Sequence, residues 1–462
     1  MFEKIKGLVM NILNFFHAVS VEEITGVDTA VTNEMLKKIE LWNNMMKGNA
    51  PWNEKAKPCG IMDQIAGRLN MLVSREIGLE VENPAIETAM KHLNDNVDKV
   101  VEYIALIGGC VVRPIFSNNK LQYEIIPLGN YLPTRYDFDG TLTGAIILKQ
   151  IDYKNKCFIL VENHTYENQS HTVNCKLYRN DNGKLKRASL LDCPQTETIT
   201  EEYTWQNVKQ PMIIEFRNHA LNRIDGSNVP VSLLAGIENL VQDADEQYER
   251  MNWEQKAGEM KVFADSDLFT KRKLDDGKVV NTLPRDKNLQ RLVTMIDGDG
   301  SANGSKITEH APQLRTTAQN EMLQQIFRRI ELASCIGKGS ISDMESVQQT
   351  ASQYNGGRQE LFAIVDKIED EIKVKYQICA DVFAHIVAAY RIGPNNSRIT
   401  ITWNDDTTRK DVLQAKQMEL QEISAGVRAP WEYRVDFMGE DELKAKENVP
   451  PAPLAPDPFN FS

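Results

Sequence analysis

No apolar run in this chain approaches the roughly 18 residues that cross a bilayer, so a helical membrane span is not expected. No CxxC pair occurs either. The seven cysteines (Cys59, Cys110, Cys157, Cys175, Cys193, Cys335 and Cys379) form an odd, dispersed set, which reads as reduced thiols of a protein made in cytoplasm. Positive charge is in deficit, with 53 Lys and Arg against 65 Asp and Glu, a net charge of −12. The surface as a whole therefore repels nucleic acid, and any contact with DNA is local or deliberately weak. GxSxG, HExxH and protein-kinase signatures are missing, as are internal repeats.

Near-misses to chemical motifs are instructive. Gly337-Lys338-Gly339-Ser340 sets a lysine among glycines, but it lacks the upstream glycine and the Lys-Ser pair of a phosphate-binding loop. Asp297-Gly298-Asp299-Gly300-Ser301 resembles a calcium loop until Ala302, where a glycine is required, and Thr308, where a glutamate would clamp the ion. His164, His171 and Cys175, with Cys157 across a hairpin, match no zinc-finger spacing and read as ordinary sheet residues. Acids cluster at Asp243, Asp245 and Glu246 and again at Glu369, Asp370 and Glu371, beside apolar helical seams where a solvated face is expected. No metal or other cofactor is expected, and the chain does not read as an enzyme. The alternative is a metal-dependent DNA-processing enzyme with a helical oligomerisation region, resting on those acid-rich helices.

What is present is a soluble-type composition (42% apolar, 26% charged) over 462 residues, enough for two or more domain-sized modules. The fold class expected is α+β, mainly helical. Residues 2–16 place Phe2, Ile5, Leu8, Val9, Ile12, Leu13 and Phe16 on one helical face. Asn11, Asn14 and Glu3 argue against a secretory signal, despite Ala18-Val19-Ser20. Helices are then expected over 32–47, with Thr32 as N-cap and Gly48 as stop, and over 60–77. A long one opens at Asn83-Pro84 and closes at Gly108-Gly109.

From Cys110 to about Phe216 the pattern turns to strands: Leu121, Tyr123 and Ile125 alternate, and Ile146–Ile151 and Phe158–Val161 are short apolar runs. Asp139-Gly140 and Asn182-Gly183 read as hairpin turns.

The central section is the most informative. A helix on Leu234, Ile237, Val241, Ala244, Tyr248 and Met251 has near-heptad spacing, and a second repeats it on Leu323, Ile326, Ile330 and Ala333. A Gly-rich, strand-forming insert lies between them. A third helix runs from about Arg358 to Arg391 on Leu361, Val365, Ile368, Ile372, Cys379, Phe383, Ile386 and Tyr390, and would be about 50 Å long. Such rods suit an assembly that packs the same helices around an axis. One strand on Ile399, Ile401 and Trp403 follows, then helices over Thr408–Ala425 and Pro430–Met438. Val449 to Ser462 is Pro-rich and favours an extended arm.

An ordered series of segments resembles a known family. It runs Met35-Leu-Lys-Lys-Ile39-Glu-Leu-Trp42, Pro51-Trp52, Tyr103-Ile-Ala-Leu-Ile-Gly-Gly109, Leu121-Gln-Tyr-Glu-Ile-Ile126 and Tyr131-Leu-Pro-Thr-Arg-Tyr-Asp-Phe-Asp-Gly140. Val161-Glu-Asn-His-Thr165, Asn174-Cys-Lys-Leu-Tyr178, Asn222-Arg-Ile-Asp-Gly-Ser-Asn-Val-Pro230, Thr350-Ala351-Ser352, Ala425-Gly426 and Gly439-Glu-Asp-Glu-Leu-Lys-Ala445 continue it. In this order, over about residues 30–448, the chain resembles the portal proteins of tailed bacteriophages, in the siphophage-type branch. It departs from the family pattern at Ser352-Gln353 and at Met46.

The resemblance implies a ring, usually of twelve subunits, at one capsid vertex of the virion, built in the host cytoplasm. It also implies a wing (1–229), a stem helix (230–256), a clip (257–315) and a second stem helix (316–334). A tunnel-loop region (335–349), a long wing helix (350–391), a C-terminal wing or crown (392–448) and a Pro-rich tail (449–462) complete it. Expected partners are further copies of the chain, double-stranded DNA passing without sequence specificity, terminase, a head–tail adaptor, the major capsid protein and a scaffold; no membrane is involved. Lys338 is the expected DNA-channel residue, with Ser340 and Ser342 as phosphate partners and glycines that let the loop move. Lys271, Arg272, Lys273, Arg285 and Arg291 give the clip a basic character for docking partners.

Overall fold

The computed structural model describes residues 26, 28–74, 77–117, 119–181, 184–265, 270–273, 279–282, 293–296, 307–310, 312–342, 359–403, 412–425, 427–438 and 441–449. Outside them lie the expected helix over 2–16, the Asn182-Gly183 turn, Asp297–Ser301, Thr350-Ala351-Ser352 and the Pro-rich segment from 450 onward. Helices and mainly antiparallel sheets are segregated along the chain, so the fold is α+β.

Thr32 opens α1 (Asn33–Met46) as expected: its side chain accepts the Met35 N–H at 3.2 Å, and Gly48, at φ 67°, turns the chain away. Met35, Ile39 and Trp42 on its inner face have no exposed surface. After a short turn at Pro51–Glu54 comes α2 (Ile61–Val73), which stops earlier than its apolar spacing suggests. Ile77, Leu79 and Val81 instead alternate in β1 (Ile77–Val81), paired antiparallel with β16 (Ile399–Trp403). Gly78 is thus no helix stop. A Cβ there would lie 2.4 Å from Thr402 Oγ1, so glycine lets the two strands close.

The single long helix expected after Asn83 is two, α3 (Pro84–Asp95) and α4 (Val97–Ile107). Asn96 breaks them, its side-chain amide donating to the His92 carbonyl at 2.8 Å. Apolar spacing runs straight through the break from Leu93 to Val97, so periodicity hides it.

The strand block forms two sheets. In one, β10 (Ile214–Arg217), β2 (Gly109–Ser117) and β3 (Lys120–Pro127) lie side by side. The other is an antiparallel meander of β4 (Tyr131–Tyr136), β5 (Leu142–Tyr153), β6 (Lys156–Glu167), β7 (Ser170–Asp181) and β8 (Lys184–Ala188). β9 (Glu202–Gln206) shares the outer edge of β7: it pairs the end beginning at Ser170, and β8 pairs the end at Asp181. Asp139-Gly140 forms the β4–β5 turn, with the Gly140 N–H donating to Asp137 O at 3.0 Å.

Next come α5 (Glu238–Ala257) and α6 (Thr316–Ser334), rods of 20 and 19 residues and each about 30 Å long. They are antiparallel, because Arg315 at the start of α6 meets Glu254 near the end of α5, while Gln247 reaches Gln319 O at 3.2 Å. At their far end a β tip holds β11 (Lys261–Asp265) between β14 (Val293–Ile296) and β15 (Ile307–His310). β12 (Thr270–Lys273) pairs β13 (Val279–Thr282) in a separate two-stranded ribbon.

The longest element, α7 (Gln359–Ala389), has 31 residues and is about 46 Å long. Leu361, Val365, Ile368, Ile372, Cys379, Phe383 and Ile386 are buried against α2, α3, β2 and β10, as their spacing predicts. Tyr390 lies past the helix and half exposed, stacked on Phe116 with ring centroids 3.9 Å apart. Three helices close the described chain: α8 (Val412–Ser424), α9 (Pro430–Met438) and α10 (Glu442–Glu447). Arg428 ties the first two, pairing with Glu419 at 2.7 Å and with Glu432 and Asp436 at 3.0 Å.

Glycine at 109 is forced by packing, since a Cβ would sit 2.4 Å from the Phe216 carbonyl oxygen in the paired strand. Gly109→Ala is expected to lower stability by about 1–3 kcal/mol in urea unfolding. At Gly67, inside α2, a Cβ meets nothing within 4 Å, so Gly67→Ala should raise stability by about 0.5–1 kcal/mol.

Candidate functional site

The Gly-Lys-Gly-Ser stretch emerges from the C-terminus of α6. Cys335 (φ 58°), Gly337 (φ 78°) and Gly339 (φ 73°) all take the left-handed conformation, coiling the chain into a hoop. Lys338 is exposed at its apex, and Ile336, 2% exposed, seats the underside in the core. No hydrogen bond or ion pair engages Lys338 among the described residues.

The two serines differ from expectation. Ser342 is buried and donates its hydroxyl to Glu331 Oε2 at 2.8 Å, while Ser340 donates to the Ile336 carbonyl at 2.6 Å. As phosphate partners they are corrected: both hydroxyls are spent on the chain itself. The backbone of the described part of the loop is engaged as well. Glu331, 1% exposed, accepts the N–H groups of Gly339 (3.1 Å), Ile341 (2.6 Å) and Ser342 (2.7 Å). Sequence reading passed over this glutamate, and its one visible signal is an acid on an otherwise apolar helical face just before a Gly-rich loop. Arg68 of α2 was also passed over; it lines a small void with Ser340 and Ile341, its Nε buried and without a hydrogen-bond partner among the described residues.

The expected clip cations are described only in part. Lys271, Arg272 and Lys273 form most of β12, paired with Val279–Asn281 of β13. Arg285 and Arg291 lie outside the described residues.

The acid clusters are only in part the solvated faces expected: Asp243 and Asp370 are exposed, but Asp245, Glu369 and Glu371 are buried. Asp245, 4% exposed, accepts the Trp52 indole N–H at 2.8 Å and the Cys59 backbone N–H at 2.7 Å. That carboxylate raises the Cys59 thiol pKa further, on top of the larger effect of burial. Glu371, 5% exposed on its side chain, takes the Arg217 backbone N–H at 3.0 Å and faces His219 Nε2 at 2.8 Å. Glu238, at the start of α5, takes Lys38 Nζ at 2.9 Å and the Trp42 indole at 3.0 Å. The half of α5 nearest the core is thus wired to the N-terminal helices.

Some apolar side chains of the two rods stay uncovered. Tyr248 and Trp253 toward the distal end of α5, Met322 partway along α6 and Leu332 near its body end are exposed, Trp253 and Leu332 by about two thirds. Ala333 is exposed as well, so the seams predicted from spacing are buried over only part of their length. A groove of about 970 Å³ runs between the Pro51–Ala56 turn and α5, with Trp52, Trp253 and Arg315 in its walls.

The histidines of the meander form a directional chain. The Met212 N–H donates to His171 Nδ1 (3.3 Å), which makes His171 Nε2 the donor to His164 Nδ1 at 3.1 Å. His164 Nε2 then donates to Glu162 at 3.4 Å, and Arg113 pairs with the same carboxylate. With one proton on each ring every position is satisfied, and another would set donor against donor. Burial accordingly pushes His171 down to about 2 and lowers His164. Burial opposes ionisation of Glu162, but His164 and Arg113 outweigh it and hold the carboxyl down at about 2. Among the described residues no group of three His, Cys, Asp or Glu side chains converges to hold a metal ion.

No model of a known protein family matches this sequence, and no curated protein matches it.

A histidine that stays neutral when folded but titrates near 6.5 when unfolded costs stability as pH falls below about 6.5. Between pH 7.5 and 5.5 the unfolding free energy read from denaturant curves should drop by about 1.4 kcal/mol for each such histidine. His171→Asn is expected to flatten that dependence, although Glu162 adds its own loss below about pH 4.5.

Proposed function

We propose that this chain is the portal subunit of a tailed bacteriophage. On this reading it closes into a ring of about twelve copies at one capsid vertex, through which DNA is packaged and ejected. The observation that carries the reading is the projecting hairpin of α5 and α6. Two rods emerge from a well-packed body, end in a β tip, and keep Tyr248, Trp253, Met322 and Leu332 uncovered. Large apolar side chains left in water favour a further contact. The occupant fitted to them is the same hairpin of a neighbouring copy, for a closed ring repeats one interface. The ordered residue series from Met35 to Ala445 supports the same assignment.

In family terms, α5 and α6 are the stem, the β tip is the clip, the hoop at 335–342 belongs to the tunnel loop, and α7 is the long wing helix. The body of α1–α4 and the two sheets is the wing, and α8–α10 belong to the C-terminal wing or crown. The clip then faces terminase during packaging and the head–tail adaptor afterwards, and the wing meets capsid protein and scaffold.

Electrostatics suits a conduit. Twelve copies at −12 each carry about −144 charges, so the ring on balance repels the duplex and lets it slide. Lys338, exposed on a fixed loop and without an acidic partner among the described residues, is the guiding contact to phosphate. The DNA-processing alternative loses support here, because Asp245 and Glu371 are committed to indole, backbone and histidine N–H groups.

Electron microscopy of the purified protein should show rings of about twelve subunits with a central hole. A stable monomer at micromolar concentration would remove the reading. In a packaging assay, Lys338→Ala should leave rings intact and alter the rate or the retention of DNA. Unchanged packaging by intact rings would take Lys338 out of the mechanism.

A further inference from the structure

We infer that Glu331 is the positioning residue of the 335–342 hoop, and that it holds Lys338 at one fixed place. This deepens the channel reading and rests on it for what Lys338 touches; the hoop itself is a local property of the chain.

The geometry is that of an anion wrapped by a loop. Glu331 Oε1 accepts from Ile341 N at 2.6 Å and Ser342 N at 2.7 Å, and Oε2 accepts from Gly339 N at 3.1 Å and the Ser342 hydroxyl at 2.8 Å. The side chain is buried, and no Lys, Arg or His pairs with it among the described residues. Its solvation in the fold therefore comes from the loop. A buried carboxylate without donors is costly, and amide bonds to a carboxylate are charge-assisted. Opening the hoop would strand the anion, and removing the anion would strand inward-facing N–H groups.

Two further contacts keep the hoop from sliding. Ile336 plugs the core, and Ser340 bonds back across the turn to the Ile336 carbonyl. Gly337 and Gly339 flank Lys338 with positive φ, so they set the turn that lifts its side chain outward.

A lysine on a flexible strand could follow a phosphate and cling to it. A lysine on a fixed hoop offers one charge at one height in each subunit, touched and left as the duplex passes. In a net acidic ring this gives guidance without braking.

The test is hydrogen exchange on the intact protein, followed at Gly339, Ile341 and Ser342. Glu331→Gln should speed exchange at these amides by about tenfold or more, because it turns an acceptor into a competing donor. Glu321→Gln, an exposed acid of the same helix, should leave them unchanged. Unchanged loop exchange in a folded Glu331→Gln protein overturns the inference. Should that variant fail to fold, Ser342→Ala removes one donor only; faster exchange at the neighbouring amides supports the hoop, and none overturns it. In packaging, the Glu331→Gln/Lys338→Ala double variant should match Lys338→Ala alone. A further loss in the double variant overturns the positioning role. Faster loop exchange combined with an inert Lys338→Ala supports the hoop and removes the channel reading instead.

Discussion

A carboxylate taken out of water must be met by donors, and this constraint organises the molecule around its long helices. Among the buried helical acids are Glu238 and Asp245 on α5, Glu331 on α6 and Glu371 on α7. Each is satisfied by groups from outside its own helix. Glu238 draws in Lys38 and Trp42, Asp245 the turn at Trp52 and Cys59, Glu371 the backbone of Arg217 and the His219 ring, and Glu331 the hoop that follows it. Apolar packing of Trp42, Phe216, Tyr376 and Phe383 supplies cohesion, but an apolar face tolerates sliding by a turn. The charged junctions do not, because a shifted register would leave an anion without partners.

These junctions divide the α5–α6 hairpin into two regimes. Near the body the rods are held by buried acids, by Val241 and Ala244, and by Leu323, Ile326 and Ile330. Farther out, Glu254 clamps Arg315 and Gln319 across the pair while aromatic and aliphatic side chains stay in water. At the neck of the tip, Gly258 approaches Leu314 so closely that a Cβ would lie 2.2 Å from its side chain. The rods are thus joined toward both ends, while Tyr248, Trp253 and Met322 between stay in water.

Local periodicity made much of this legible. The helical spacing of α1, α5, α6 and α7, the alternation of β3 and β16, and the Asp139-Gly140 turn all follow from nearest-neighbour patterns. The misreadings share one cause, which is pairing between residues far apart in sequence. β1 went unread, with Ile77 assigned to the end of a helix, because its partner lies after α7, and the Asn96 break is invisible to a period that runs on through it. Asp245 and Glu371 looked solvated because nothing near them in sequence announces an indole or a backbone N–H from another segment. At the candidate site the exposure of Lys338 agreed with its sequence neighbours. The hoop was less legible, since Ser340 and Ser342 look free until Ile336 and Glu331 are in place.

The partnership of Ile77–Val81 with Ile399–Trp403 bears on how the chain is made. A nascent chain leaves β1 without this mate until Ile399–Trp403 has left the ribosome, a delay of tens of seconds at roughly 5–20 residues per second. The α7 helix, whose apolar face covers α2 and α3, arrives just ahead of that mate. The amino-terminal layer therefore cannot mature early. Its completion waits on a strand contributed from beyond the longest helix.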